Sequence, residues 1–161
     1  MQKKRLVGVV SDTHGLFDPK IPILFEGVDH ILHAGDLGNM QVYSQLQKLA
    51  PITAISGNVD EGNLPSRFES QTTVDLYGVR IFMIHILGHP HRLSAEMQDQ
   101  IGGIQPHVLI FGHSHQPFLQ KIGAILFFNP GSAGPKRFSL PRCLGLLEIE
   151  KGEAQGKIIE L

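Results

Sequence analysis

Five short apolar runs in this 161-residue chain stop at the same punctuation, a tight polar turn carrying aspartate, asparagine or histidine. Leu6–Val10 leads to Asp12 and His14, and Ile31–Ala34 leads to Gly35 and Asp36. Ile52–Ile55 leads to Gly57 and Asn58, Val79–Ile84 leads to His85, and Val108–Phe111 leads to Gly112, His113 and His115. Short apolar runs without polar alternation read as strands buried on both faces. The chain is therefore expected to build buried sheets whose ends carry its chemistry.

Between these runs the period changes. Pro19–Phe25 reads as a short helix limited by Pro22, and Asn39 caps a helix through Leu49, with Met40, Tyr43, Leu46 and Ala50 at helical spacing. Strand–helix–strand–helix–strand order predicts parallel strands with right-handed crossovers, and ligands collect at their carboxyl ends. The second half reads as more sheet. Thr72–Leu76 and Val79–Ile84 turn at Tyr77-Gly78, and Ser94 caps a helix over Ala95 to Ile101. Phe118–Ile122 and Ala124–Phe128 flank Gly123, and Leu144–Ile149 with Lys157–Ile159 supply final strands. The expected fold is α/β, with two packed mixed β-sheets flanked by helices in four layers.

The size and the 42% apolar content suit a single domain over 1–161. A net charge of −1 gives no encouragement to nucleic-acid or acidic-membrane binding. Cys143 is the only cysteine, which excludes an intrachain disulfide and fits a reducing compartment. The opening Met1-Gln2-Lys3-Lys4-Arg5 followed by Leu6–Val10 is too short in its apolar part for a secretion signal, and no run reaches the roughly 18 apolar residues of a membrane helix. The expected location is cytoplasmic.

Asp12, His14, Asp36, Asn58, His85, His113 and His115 form a carboxylate, amide and imidazole set without thiolate. Such a set suits Mn²⁺, Fe²⁺, Co²⁺, Ni²⁺ or Zn²⁺. The members of each D-x-H or H-x-H pair would share a face if locally extended. Seven donors exceed what one ion with an open position needs, so two ions sharing a carboxylate are expected. Gly15, Gly35, Gly57 and Gly112 flank the donors, where backbone must turn sharply or approach closely.

The ordered blocks Asp12-Thr13-His14, Gly35-Asp36, Gly57-Asn58, His85 and Gly112-His113-Ser114-His115 resemble the calcineurin-like metallophosphoesterase family. More narrowly, they resemble its small bacterial and archaeal phosphodiesterases, and Asn129-Pro130-Gly131-Ser132 matches a further stretch of that subgroup. The resemblance implies one metal on Asp12, His14 and His115, a second on Asn58, His85 and His113, and Asp36 bridging them. Asp36 and Asn58 are the candidate catalytic residues. The implied cofactors are two divalent ions, Mn²⁺ first, with Ni²⁺, Co²⁺, Fe²⁺, Zn²⁺ or Mg²⁺ as alternatives. Two such ions can clamp an in-line phosphoryl displacement, with a metal-bridging hydroxide as nucleophile. The implied activity is hydrolysis of small phosphate esters, diesters before monoesters, and relatives are often homo-oligomeric. The alternative is a catalytically weak or inactive protein-binding scaffold of the same fold, like the retromer subunit.

Two positions depart from the family pattern. Val59 stands where larger members carry a histidine that protonates the leaving group, so the general acid is unassigned. Around His85 the chain reads His85-Ile86-Leu87-Gly88-His89-Pro90-His91 where relatives show His-Gly-His. His85 directly follows the strand and is preferred over His89. His30, His33, His91 and His107 read as structural, with support of the donor cluster as the alternative for His33, and Asp60 reads as a group capping or orienting backbone. Lys136, Arg137 and Arg142 read as solvated surface, with phosphate docking as the alternative for Arg137, Asn129–Ser132 as a turn near the site, Phe127 and Phe128 as core, and Cys143 as an inert buried thiol.

Overall fold

The computed structural model describes residues 3–161; Met1 and Gln2, the first positions of the basic opening stretch, lie outside the described residues. β1 (Arg5–Val10), β2 (His30–His33) and β3 (Ile52–Ala54) pair in parallel, and β9 (Cys143–Glu150) and β10 (Glu153–Glu160) add antiparallel strands to give the order β10-β9-β1-β2-β3. The second sheet runs β4-β5-β6-β8-β7. In it β5 (Val79–Ile84), β6 (Val108–Ile110) and β8 (Ile125–Asn129) are parallel, while β4 (Gln71–Leu76) and β7 (Phe118–Ile122) are antiparallel edges.

Side-chain alternation divides these strands between two environments. Val7 and Val9 of β1, Ile81 and Met83 of β5, and Val108 and Ile110 of β6 form one core between the sheets. On the other face of the first sheet, Val10 and Ile31 meet Ile21 and Phe25 at α1 (Ile21–Leu24) and Val42 and Leu46 of α2 (Met40–Gln47). Phe82 and Leu109 of the second sheet meet Ile101 of α4 (Ala95–Ile104). Helix, sheet, sheet, helix is the four-layer order expected from covered strands.

The helix starts follow their caps. Asn39 accepts from the Val42 amide at 3.0 Å, and Ser94 accepts from the Met97 amide at 3.2 Å. α4 extends to Ile104, beyond the expected Ile101, and ends at Gln105 in left-handed backbone. A further four-residue helix, α3 (Leu64–Arg67), carries no apolar period that sequence reading could detect. Arg142 departs from the expected solvated surface. It pairs with Asp18 at 2.8 Å and donates to the carbonyls of Gly134 and Ala133 at 2.6 and 2.9 Å. A guanidinium has enough donors to satisfy all three acceptors, which makes its partial burial tolerable.

Candidate metal centre

The loops after β1, β2, β3, β5 and β6 meet at the carboxyl ends of their strands. The β1 and β2 loops are joined by backbone bonds: the amides of Asp12, His14 and Gly15 donate to the carbonyls of Gly35, Asp36 and Leu37 at 2.8–3.0 Å. This pairing accompanies a departure of Asp12, His14 and Asp36 from extended geometry, and the β6 loop shows the same departure. Asp12, His14, Asp36, His113 and His115 all have positive φ, from 45° to 71°. The expectation that each pair shares a face of an extended strand is therefore corrected; left-handed backbone aims the side chains inward instead. The Ser114 amide donates to the Gly112 carbonyl at 2.9 Å across His113, the three-residue bond of a strained turn. Such conformations cost on the order of 1–3 kcal/mol each and persist only where surrounding structure over-determines them.

Two groups of donors result, Asp12 with His14 and His115, and Asp12 with Asp36 and His85, the ligand atoms of each lying within 4.8 Å of one another. Asp12 Oδ1 lies 3.3 Å from His115 Nε2, 3.7 Å from His85 Nε2 and 3.8 Å from His14 Nε2. Asp36 Oδ2 lies 3.1 Å from His85 Nε2 and 3.9 Å from His14 Nε2. His14 Nε2 faces His115 Nε2 at 3.2 Å, and Asn58 Oδ1 faces His113 Nδ1 at 3.0 Å. The His113 and His85 rings are 5.5 Å apart in edge contact. All seven expected donors thus belong to one contiguous cluster. Asp12, which the resemblance gives to a single ion, borders both groups. His89 lies elsewhere, 5.7 Å from His91 between ring centres and against Phe118.

The electrostatics suit cations. Burial lowers the affinity of His14 for a proton despite the pull of Asp12 and Asp36, so its lone pair is free near neutral pH. Burial also works against charge on Asp36. Hydrogen bonds from His85 and the Val59 amide, with the nearby His85 and His14, outweigh it and hold the carboxyl below its usual range. His85 is the counterpart: burial opposes its proton, but the Asp36 contact, Asp12 and the Ala34 carbonyl together raise its affinity. With Nδ1 2.7 Å from the Ala34 carbonyl, the ring donates there and points Nε2 at the carboxylates. Nε2 answers them by holding a proton or by sharing a cation. Asp12 Oδ1 and His115 Nδ1 are buried with no hydrogen-bond partner among the described residues. The unanswered carboxylate oxygen beside three imidazole nitrogens fits divalent ions.

A surrounding layer holds these donors, and only part of it was read from sequence. Asp60 accepts from the amides of Asp36 at 3.1 Å, Gly38 at 3.0 Å and Gly57 at 2.8 Å, in line with its expected backbone role. His33 does more than pack. Its Nδ1 accepts from the Gly35 amide at 3.2 Å, which assigns the proton to Nε2, 2.9 Å from the Thr13 hydroxyl; that hydroxyl donates to the Leu37 carbonyl at 3.0 Å. Ser11 donates to Asp12 Oδ2 at 2.7 Å, and Ser132 donates to the Asp12 carbonyl at 2.9 Å. Asn129 donates to the Gly112 carbonyl at 3.1 Å, placing the Asn129–Ser132 turn directly beneath the His113–His115 loop. Gly57 lies against Asp36 so closely that a Cβ there would enter its carboxylate. Nothing in the types or spacing of Ser11, Thr13 and Ser132 announces these contacts.

The calcineurin-like phosphoesterase superfamily domain model matches residues 6–152. A probable metallophosphoesterase of Methanocaldococcus jannaschii is 33% identical over 159 residues, covering 93% of this chain and 79% of the relative. A phosphodiesterase of the same organism is 28% identical over 174 residues, covering 96% and 99%. Among solved structures, Vps29 of Chaetomium thermophilum superposes with a TM-score of 0.77 at 16% identity, covering 98% of this chain and 97% of that one; it supports the fold alone. With its match running from β1 into the β9–β10 turn, the chain belongs to the calcineurin-like phosphoesterase superfamily.

Proposed function

We propose that this protein is a dinuclear metal-dependent phosphoesterase acting on small phosphodiesters. The observation that carries the reading is Asp12 Oδ1, buried, without a hydrogen-bond donor, and 3.3–3.8 Å from three imidazole nitrogens of two adjoining groups. In this reading Asp12, His14 and His115 would hold one ion and Asn58, His85 and His113 the other, and Asp36, whose Oδ2 faces both His14 and His85, would serve both. When bound, two such ions supply Lewis acidity toward the phosphate oxygens and the attacking water.

The chain's own residues supply position. His85 is fixed by the Ala34 carbonyl, and Asp36 by the Val59 amide at 3.0 Å. Asn58 is exposed at the mouth, so its amide can meet a phosphate oxygen as well as a cation. Val59 offers no proton to a leaving group, so turnover should favour acidic alcohols. The diester preference is supported by the phosphodiesterase relative.

The test is to remove metal with a chelator and restore Mn²⁺, Ni²⁺, Co²⁺, Mg²⁺ or Zn²⁺ singly. Hydrolysis of bis(4-nitrophenyl) phosphate is then compared with that of 4-nitrophenyl phosphate. Recovery with a transition-metal ion, faster on the diester, is expected; failure with every ion overturns the reading. That failure would favour the scaffold alternative, for which the exposed Ile23 and Phe138 offer apolar contact surface.

A further inference from the structure

The metal cluster opens at one side into a recess of about 270 Å³ between the loops after β3 and β5, reached by the start of β4. Its lining includes the candidate donors Asn58 and His85, the apolar Ile84 and Ile86, and the polar Ser70 and Gln71. Among the described residues, no lysine, arginine, aspartate or glutamate lines it. The larger hollows, beside Lys4 and Glu148 and beside His107 and Lys121, touch none of the seven donors.

A second observation points to the same place. Val59 is 49% exposed and Ile86 48%, and each directly follows one of the two donors in the lining, Asn58 and His85. Large apolar side chains left in water at the mouth of a polar cluster suit contact with a bound molecule.

Resting on the phosphoesterase reading, we propose that this recess is a subsite for one ester arm of the substrate, and that it selects uncharged arms of about one ring in size. The volume lies just below that of pockets built for drug-sized ligands, enough for an aryl, short alkyl or sugar group but not a second bulky unit. Gln71 and Ser70 of the lining can answer a hydroxyl or ether oxygen. The ions' charge would already be answered by Asp12, Asp36 and the substrate phosphate, so a charged arm would lose solvation and gain no counter-ion from the described lining residues. Ile86 is the specificity-determining residue, because it contributes apolar surface to the recess without being one of the donors.

The test measures competition against bis(4-nitrophenyl) phosphate in the metal-loaded protein. Diphenyl phosphate and bis(4-carboxyphenyl) phosphate are the competitors, and their direct binding is read by calorimetry. In the parent protein diphenyl phosphate should bind about tenfold more tightly, the scale of one unfavourable charge burial. Ile86→Lys should reduce that ratio to about threefold or less, because the new ammonium answers the carboxylate. Ile23→Lys, which adds the same charge at exposed α1, should leave the ratio as in the parent. Equal binding of the two competitors by the parent, or a ratio that Ile86→Lys does not move, overturns the subsite while hydrolysis leaves the phosphoesterase reading standing. Absence of hydrolysis with every metal, together with no calorimetric binding of diphenyl phosphate, overturns both.

Discussion

Removing the Asp60 carboxylate should loosen the metal centre without touching a proposed ligand. Its two oxygens accept three backbone amides: Oδ2 takes those of Asp36 and Gly57, and Oδ1 takes that of Gly38. One side chain thereby ties the loop bearing Asp36 to the loop bearing Asn58. Hydrogen bonds to a charged group contribute about 1.5–3 kcal/mol each, and water reaches part of this site, so the low end applies. Asp60→Ala should therefore lose about 4–5 kcal/mol of stability, a large share of the 5–15 kcal/mol typical of a domain. Asp60→Asn can keep the two bonds at Oδ2 while presenting an N–H to the Gly38 amide, so it should lose about half as much. Urea unfolding of the chelated proteins reads stability, and Mn²⁺ calorimetry reads the loops, with affinity expected to fall about tenfold or more in Asp60→Ala, the scale set by loss of groups supporting ligands. An alanine variant within about 1 kcal/mol of the parent, binding Mn²⁺ with unchanged affinity, would refute this reasoning.

Three further outcomes are expected. Gly57→Ala pushes a methyl group into the Asp36 carboxylate and should abolish binding of at least one Mn²⁺ while far-ultraviolet dichroism stays that of the parent. His33 is fully buried, and burial lowers its pKa to about 4 against 6.5 when unfolded, so both states are neutral above pH 6.5 and only the unfolded state takes the proton as pH falls toward 4. Stability should drop by on the order of 3 kcal/mol across that window, and His33→Gln should flatten the urea midpoint over the same range; an identical slope in the variant would exclude His33 as the source. Asp36→Asn should weaken both metal sites, because Oδ2 faces His14 of one ligand set and His85 of the other, whereas Asn58→Ala should weaken one; calorimetric stoichiometry separates the two patterns. Each should lower turnover by more than about 100-fold, beyond the loss typical of supporting residues.

The local pattern of residues was enough to place most of the scaffold. Unbroken apolar runs such as Leu6–Val10 and Val108–Phe111 required cover on both faces, and Asn39 and Ser94 marked helix starts through their own side chains. The seven candidate donors were singled out by the same pattern, because each stands at or just beyond the end of such a run. What the tertiary structure decided lies in contacts between loops far apart in the chain. The left-handed backbone at Asp12, His14 and Asp36 accompanies the bonding of the β1 loop to the β2 loop, and no single segment carries that information. The same holds for Asp12 between both donor groups, for Asp60 across two loops, and for Arg142 drawn inward by Asp18. Strand period is a property of neighbours in sequence, whereas a shared carboxylate is a property of neighbours in space. Burial then decides its energy, since a charge left without a partner in the interior is far costlier than one in water.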